Sequence, residues 1–94
     1  MILNTYKPKF ELGQIVVTPA VLKKVPKIEI EFCLTRHAQG NWGDLSEEDQ
    51  EVNEEALRNG DKILSAYRSS AGIRFWIITE ADRSATTILL PEDY

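Results

Sequence analysis

The sequence predicts a small α+β domain, in which a mainly antiparallel sheet of about four strands carries two or three helices on one face. Length is the first reason, because 94 residues suffice for one core and not for two. Composition is the second, because 43% hydrophobic residues is ordinary for a folded domain. The third is the order along the chain, where two helix-start signals precede three short apolar segments typical of strands.

A single domain is expected over residues 1–94, beginning with a lead-in and a strand. Residues 1–9 include Pro8 and have no clear period, so we expect a loose lead-in there. Residues 10–17 are rich in β-forming side chains, and Gly13 is expected to mark a bulge or bend within them.

A short helix should follow this strand. Thr18 is a favourable N-cap residue, and Pro19 suits the first helical position because its missing amide proton would have no partner there. Pro26 interrupts the pattern, so the helix is expected to end near Lys24.

Residues 27–38 fit two patterns. Apolar and polar residues alternate from Ile28 to Leu34, as in a strand, but the spacing of Ile30, Cys33 and His37 also forms one helical stripe. Acidic residues near the start and basic ones near the end complement a helix dipole, and a glycine follows at the position of a C-terminal cap. We therefore predict a helix and keep the strand as the alternative.

A second well-marked helix is predicted over residues 47–59. Ser46 provides the N-cap with an acidic residue three positions later, and Gly60 provides the C-terminal stop. The apolar stripe of this helix is thin, so its stability must come from packing. The preceding loop, residues 39–45, contains Trp42 between two glycines.

The last third of the chain is predicted to be a three-stranded meander. Residues 63–67, 74–79 and 86–90 are its strands, and the middle one is apolar on both faces, as central strands are. Residues 69–72 form the first connection and residues 80–85 the second. The expected core consists of apolar side chains from all these elements: Leu12, Ile15, Val17, Phe32, Leu34, Val52, Leu57, Ile63, Leu64, Phe75, Trp76, Ile77, Ile78, Ile88 and Leu90.

Charge is unevenly distributed around a net value of −4. Residues 39–61 hold eight acidic and one basic side chain, which is typical of a solvated acidic helix or of a surface that binds a partner. This charge distribution argues against nucleic acid as a partner, because phosphate binding needs clustered cations. The cations that would serve this weakest hypothesis are Lys7, Lys9, Lys23, Lys24 and Lys27.

The remaining composition favours a cytoplasmic protein. No run of residues approaches the length of a membrane span, and no basic segment followed by an apolar one suggests a secretory signal. The single cysteine, Cys33, excludes an intramolecular disulfide and is expected to be a small core residue in a reducing compartment.

Three polar groups could carry chemistry: His37 with the loop that follows it, the connection between the last two strands, and Thr86-Thr87 at the start of the last strand. Histidine and carboxylate side chains are the usual general acids and bases of enzymes. The catalytic candidates are therefore His37, Asp44, Glu80, Asp82 and Arg83. The binding candidates are Trp42, Arg83 and Thr86. Neither a metal site nor a cofactor is predicted, because no paired histidines, paired cysteines or glycine-rich phosphate loop occur.

Each candidate also has a structural interpretation. His37 can stabilise a helix end through the dipole, and Trp42 can fix a loop by burying its ring. Asp82 and Arg83 are common in tight turns, where they form local contacts.

Three stretches, WGDL, LSAYR and WIITEADRSATTILLPEDY, resemble a family of short bacterial proteins described as hypothetical or plasmid-related. The resemblance covers residues 10–94. The family loop commonly reads GDWGD, and this chain has Asn41 in place of the first carboxylate. The resemblance implies a prokaryotic cytosolic protein linked to plasmids or mobile elements, and it favours the helix over residues 27–38.

The leading functional hypothesis is a non-catalytic protein-binding or regulatory module, because the chain is small and lacks a catalytic motif. The alternative is a small-ligand binder or minor enzyme, with a polar site built from residues 37–44 and 79–84. A homodimer is possible through an exposed edge strand or through the acidic helix.

Overall fold

The computed structural model of the chain describes residues 8–94. Residues 1–7 of the predicted lead-in, including Lys7, lie outside the described residues. The elements, in chain order, are β1 (Gln14–Val17), α1 (Pro19–Lys24), α2 (Lys27–Ala38), α3 (Glu47–Asn59), β2 (Ile63–Arg68), β3 (Arg74–Thr79), β4 (Ala85–Leu89) and a final 3-10 turn (Pro91–Asp93).

The four strands form one mixed sheet in the order β1-β4-β3-β2. Strands β2, β3 and β4 are the predicted antiparallel meander, with β3 between its two neighbours. Strand β1 pairs in parallel with β4, with Gln14 opposite Ala85. The predicted α+β class, with a small sheet and helices packed on it, is confirmed.

The main core lies between one face of the sheet and helices α1 and α2. Alternate side chains of a strand point to the same face, so Phe75 and Ile77 of β3 face the same side as Ile88 of β4. They pack with Val21 of α1 and Ile30 of α2.

The helix boundaries follow the local signals in the sequence. The amide of Val21 donates to the Thr18 hydroxyl, and the amide of Asp49 donates to the Ser46 hydroxyl. Gly60 adopts the left-handed conformation that ends α3, with φ of 75°. Residues 27–38 are helical, which decides between the two patterns that the sequence allows.

Three of the expected core residues are exposed, and the expectation was wrong for each. Ile15 lies on the edge strand, where one side has no neighbouring strand among residues 8–94. Phe32 is 65% exposed because a helix turns 100° per residue, which places it opposite the buried Ile30. Val52 is exposed because α3 turns Asn53 towards β2 instead.

The first strand is shorter than predicted, since regular pairing starts at Gln14 and not at residue 10. Gly13 has a φ of +64°, and a Cβ atom there would lie 2.3 Å from the backbone of Ser84. This close approach requires glycine and breaks the extended backbone just before the strand. The predicted bend at Gly13 is therefore present, but it precedes β1.

Candidate functional site

Four of the predicted site residues lie at one end of the helix-covered face. His37 is in the last turn of α2, and Trp42 is in the loop before α3. Arg83 is in the turn between β3 and β4, and Thr86 is near the start of β4.

His37 is fully buried, and both nitrogens of its ring are hydrogen bonded. Nδ1 lies 2.5 Å from the hydroxyl of Ser65, and Nε2 lies 2.8 Å from the hydroxyl of Thr79. The Thr79 hydroxyl lies 2.7 Å from that of Thr86, which donates to the carbonyl of Leu12 at 2.7 Å. This buried hydrogen-bond chain ties α2 to all three strands of the meander.

The direction of these hydrogen bonds follows from the number of protons available, since each hydroxyl donates only once. Thr86 uses its proton on Leu12, so it accepts the proton of Thr79. Thr79 must then accept from Nε2–H of His37, which leaves Nδ1 to accept from Ser65. A neutral His37 with its proton on Nε2 therefore satisfies every member of the chain.

Burial lowers the pKa of His37 to about 3, and the positive charge of Arg83 acts in the same direction. The ring is therefore uncharged at neutral pH. General acid–base catalysis requires a pKa near the working pH and a ring nitrogen within reach of the substrate. Both nitrogens of His37 are committed to the fold, so the geometry does not favour a catalytic role.

An aromatic cluster covers the same histidine. The ring centroids of Phe10 and His37 are 5.2 Å apart, and those of His37 and Trp42 are 6.0 Å apart, both edge to face. The Trp42 side chain is buried and donates from its indole nitrogen to a carboxylate oxygen of Glu54 at 2.8 Å. This bond and burial fix the loop to the core and to α3, as the structural interpretation of Trp42 expects.

Arg83 connects the turn after β3 to the end of α3. Its guanidinium donates to the carbonyls of Asp61 at 2.6 Å and Ala56 at 3.1 Å, and it lies 5.6 Å from the centre of the Phe10 ring. The carbonyls at a helix C-terminus carry partial negative charge, so a cation stabilises them. Arg83 adopts a positive φ of 61°, uncommon for a residue with a side chain.

The three carboxylate candidates are all exposed. Asp82 accepts a hydrogen bond from the amide of Ser84 at 3.0 Å, and its contacts with Ser84 lower its pKa. Asp44 contributes its backbone amide to the carbonyl of Ala66 at 2.7 Å, which fixes its loop to β2. Glu80 is the first residue of the turn before β4, and its backbone carbonyl accepts a hydrogen bond from the guanidinium of Arg83.

The loop after His37 and the connection before β4 therefore meet around Phe10, as a polar site requires. The groups that meet there are bonded to one another or to the backbone, and the buried Thr86 hydroxyl belongs to the same chain of hydrogen bonds. The arrangement is that of a packed core with a polar network, and the three candidate carboxylates lie exposed outside it.

A different surface has the features of a binding site, and we call it the edge groove. It is a groove of about 260 Å³ between β1 and the two N-terminal helices. Its floor and walls are apolar, formed by Ile15, Val17, Leu22, Ile30, Leu34 and Ile88. Lys27 and Glu31 of α2 stand beside these side chains.

The edge groove runs along β1, whose outer edge is unpaired within the described part of the chain. The amides of Gln14 and Thr18 donate inward to Ser84 and Ile88, so the polar groups of Ile15 and Val17 point outward. An unpaired edge of this kind is a template for another strand.

The opposite edge of the sheet, along β2, is covered by the chain itself. The side-chain nitrogen of Asn53 donates to the backbone carbonyl of Leu64 at 2.7 Å, and the side-chain oxygen of Asn53 accepts from the backbone amide of Leu64 at 3.2 Å. The amide of Ala66 donates to the carbonyl of Trp42, and its carbonyl accepts from Asp44. A side chain and a loop thus take the place of a fifth strand on this side.

The sequence did not single out the edge groove, because its residues come from four elements and lack chemical groups typical of a site. One signal was present: the QIVV segment of β1 contains no charged residue, proline or glycine that would prevent another strand from pairing.

Residues 8–94 contain no group of three or more His, Cys, Asp or Glu side chains placed to hold a metal ion. None of the helices in the described chain is long and apolar enough to cross a membrane. Comparison of the sequence and the structure with protein-family models, curated proteins and solved structures finds no match.

Proposed function

We propose that the chain is a non-catalytic protein-binding module and that it binds its partner at the edge groove. The observation that carries this proposal is the difference between the two edges of the sheet. Strand β2 is covered by Asn53 and by the loop at Trp42, whereas β1 presents backbone groups that have no partner within residues 8–94, beside an apolar groove. A partner strand that extends the sheet would satisfy those groups and fill the groove.

The exposed side chains beside β1 support the same role. Leu22 is 59% exposed, and Ile15 and Val16 are each 41% exposed. Burial of apolar surface is the main favourable contribution to protein association, and backbone pairing adds direction to it. The partner expected at this surface is therefore an extended protein segment with apolar side chains on alternate positions.

The cellular setting is part of the proposal and rests on the resemblance to plasmid-related bacterial proteins. We place the module in the bacterial cytoplasm, as a protein-binding or regulatory module linked to plasmids or mobile elements. Cys33 is buried, and burial raises the pKa of its thiol, so it is suited to a structural role in a reducing compartment.

A photo-crosslinking amino acid at position 22 tests the proposal. Leu22 lines the edge groove, and Val52 on α3 is exposed to nearly the same extent, at 58%, so Val52 is the matched control. Irradiation of bacterial cells that produce each variant should give covalent protein adducts from position 22 and few from position 52. Mass spectrometry of the adducts identifies what was captured.

The purified chain is irradiated in the same way, so that adducts with a second copy are distinguished from adducts with another protein by their mass. Equal labelling from positions 22 and 52, or no adduct from position 22 in either setting, would contradict the proposed function.

A further inference from the structure

We propose that the partner of the edge groove is a second copy of this chain, joined to the first through antiparallel pairing of two β1 strands about a twofold axis. This inference rests on the proposed function, since it names the occupant of the same surface. The two sheets would become one continuous sheet of eight strands, with the helices of both copies on the same side.

The backbone of β1 fits this pairing. Its outward polar groups belong to Ile15 and Val17, separated by one residue. In an antiparallel pair, two opposite residues exchange both backbone hydrogen bonds, so Ile15 of each copy can pair with Val17 of the other. The strand then needs no shift or bulge to pair with itself.

Val16 lies at the centre of this register. The twofold axis would pass between Val16 of one copy and Val16 of the other, as a non-hydrogen-bonded pair whose side chains are in contact. Val16 is 41% exposed and points to the sheet face opposite the helices. Pairing would cover Val16 on that face and the edge groove on the other.

The charges beside the groove are arranged for a twofold partner. Lys27 and Glu31 lie one helical turn apart on α2, and both border the apolar groove. A twofold axis perpendicular to the sheet reverses the direction of α2 in the second copy. Lys27 of one copy is then placed towards Glu31 of the other, and each dimer contains this attraction twice. A self-complementary pair of charges favours a second copy over an unrelated strand.

Sedimentation of the full-length chain, over a wide range of concentrations, tests the proposal. The monomer has a mass of 10.7 kDa, and we expect a species of twice that mass to accumulate with concentration. Val16→Lys should make the protein monomeric, because it places two ammonium groups face to face on the axis. Val52→Lys, a lysine at an exposed site of α3, should leave the dimer unchanged.

Charge reversal provides a second test that does not depend on β1 tolerating a lysine. Lys27→Glu and Glu31→Lys should each weaken dimerisation about tenfold or more, since like charges would then meet, and the double variant should restore it. Circular dichroism checks that each variant is folded.

Three outcomes would overturn the dimer. A wild-type chain that stays at 10.7 kDa at about 1 mM is one of them. A dimer that is unaffected by Val16→Lys and by both single charge reversals is another, because its contact lies elsewhere. The third is a monomer whose Ile15 and Val17 amides are protected from hydrogen exchange, which would show that the chain covers its own edge.

Adducts with a different protein from position 22, without a dimer, would leave the proposed function standing and remove only this inference.

Discussion

The His37 ring fits its site only without a proton, and this determines how the fold responds to acid. Its pKa is about 3 in the folded chain, against an ordinary value of 6.5, so the unfolded chain binds more protons between these limits. The free energy of unfolding therefore falls as the pH decreases below 6.5. Glu29 and Asp82 also have lowered pKa values, but their effect begins only near their ordinary values of 4.5 and 3.8.

We predict that proton uptake by His37 on unfolding makes the free energy of unfolding about 2.5 kcal/mol lower at pH 4.5 than at pH 7. Urea unfolding at the two pH values measures it. His37 is the only histidine in the chain, so its ring can be followed by NMR without ambiguity. A ring that titrates near 6.5 in the folded protein would contradict the prediction.

Gly43 and Gly60 allow a comparison of the stability lost when a side chain is added at a positive φ, in a crowded place and in an open one. Both have a φ of 75°, but a Cβ atom on Gly43 would lie 2.0 Å from the carbonyl oxygen of Ala66, and one on Gly60 would meet nothing within 4 Å. We predict that Gly43→Ala lowers the free energy of unfolding by about 3 kcal/mol and Gly60→Ala by about 1 kcal/mol. Chemical denaturation of the two variants compares them, and equal losses would show that the loop at Gly43 does not depend on this contact.

At the scale of elements, Asn53 replaces a missing strand beside β2. Its amide pairs with both backbone groups of Leu64, so its removal leaves a donor and an acceptor without partners. We predict that Asn53→Ala lowers the free energy of unfolding by about 2 kcal/mol. Asn59→Ala, at the exposed end of the same helix, should change it by about 0.5 kcal/mol or less. Similar losses in the two variants would mean that the bonds to Leu64 do not stabilise the edge.

The elements of the fold could be predicted where the signals are local. Thr18, Ser46 and Gly60 mark helix boundaries through contacts within one turn, and these contacts are present. The central position of β3 was also predictable, because its side chains are apolar on both faces. The parallel pairing of β1 with β4 was not, since it joins Gln14 to Ala85 across most of the chain.

The candidate site was harder to predict from the sequence, because its contacts also join distant parts of the chain. His37 and Thr86 were singled out as polar groups, but Ser65 and Thr79, which complete their hydrogen bonds, come from other strands. Polar residues that satisfy one another in a core have the same composition as polar residues that face a substrate. Only their spatial arrangement distinguishes the two.

At the scale of the whole molecule, the two edges of the sheet have opposite properties. The side chain of Asn53 and the loop at Trp42 cover the edge of β2. No side chain or loop among residues 8–94 covers the edge of β1 in this way. Proteins limit unwanted pairing at sheet edges with charges, prolines or covering segments. A sheet protected at one edge and open at the other is suited to pairing in one direction only, which gives a closed dimer and not a fibre.

Hydrogen exchange should show this difference directly. The amides of Ile15 and Val17 point to the open edge, whereas the amides of Leu64 and Ala66 are bonded within the chain. We predict that raising the protein concentration slows exchange at Ile15 and Val17 and leaves exchange at Leu64 and Ala66 unchanged, because only β1 gains a partner. NMR-detected exchange on dilute and concentrated samples measures both pairs at once. Val16→Lys serves as the control, since a chain that cannot pair should lose the concentration dependence at β1. Slowing at all four amides together would instead indicate that association stabilises the whole fold, without pairing at the open edge.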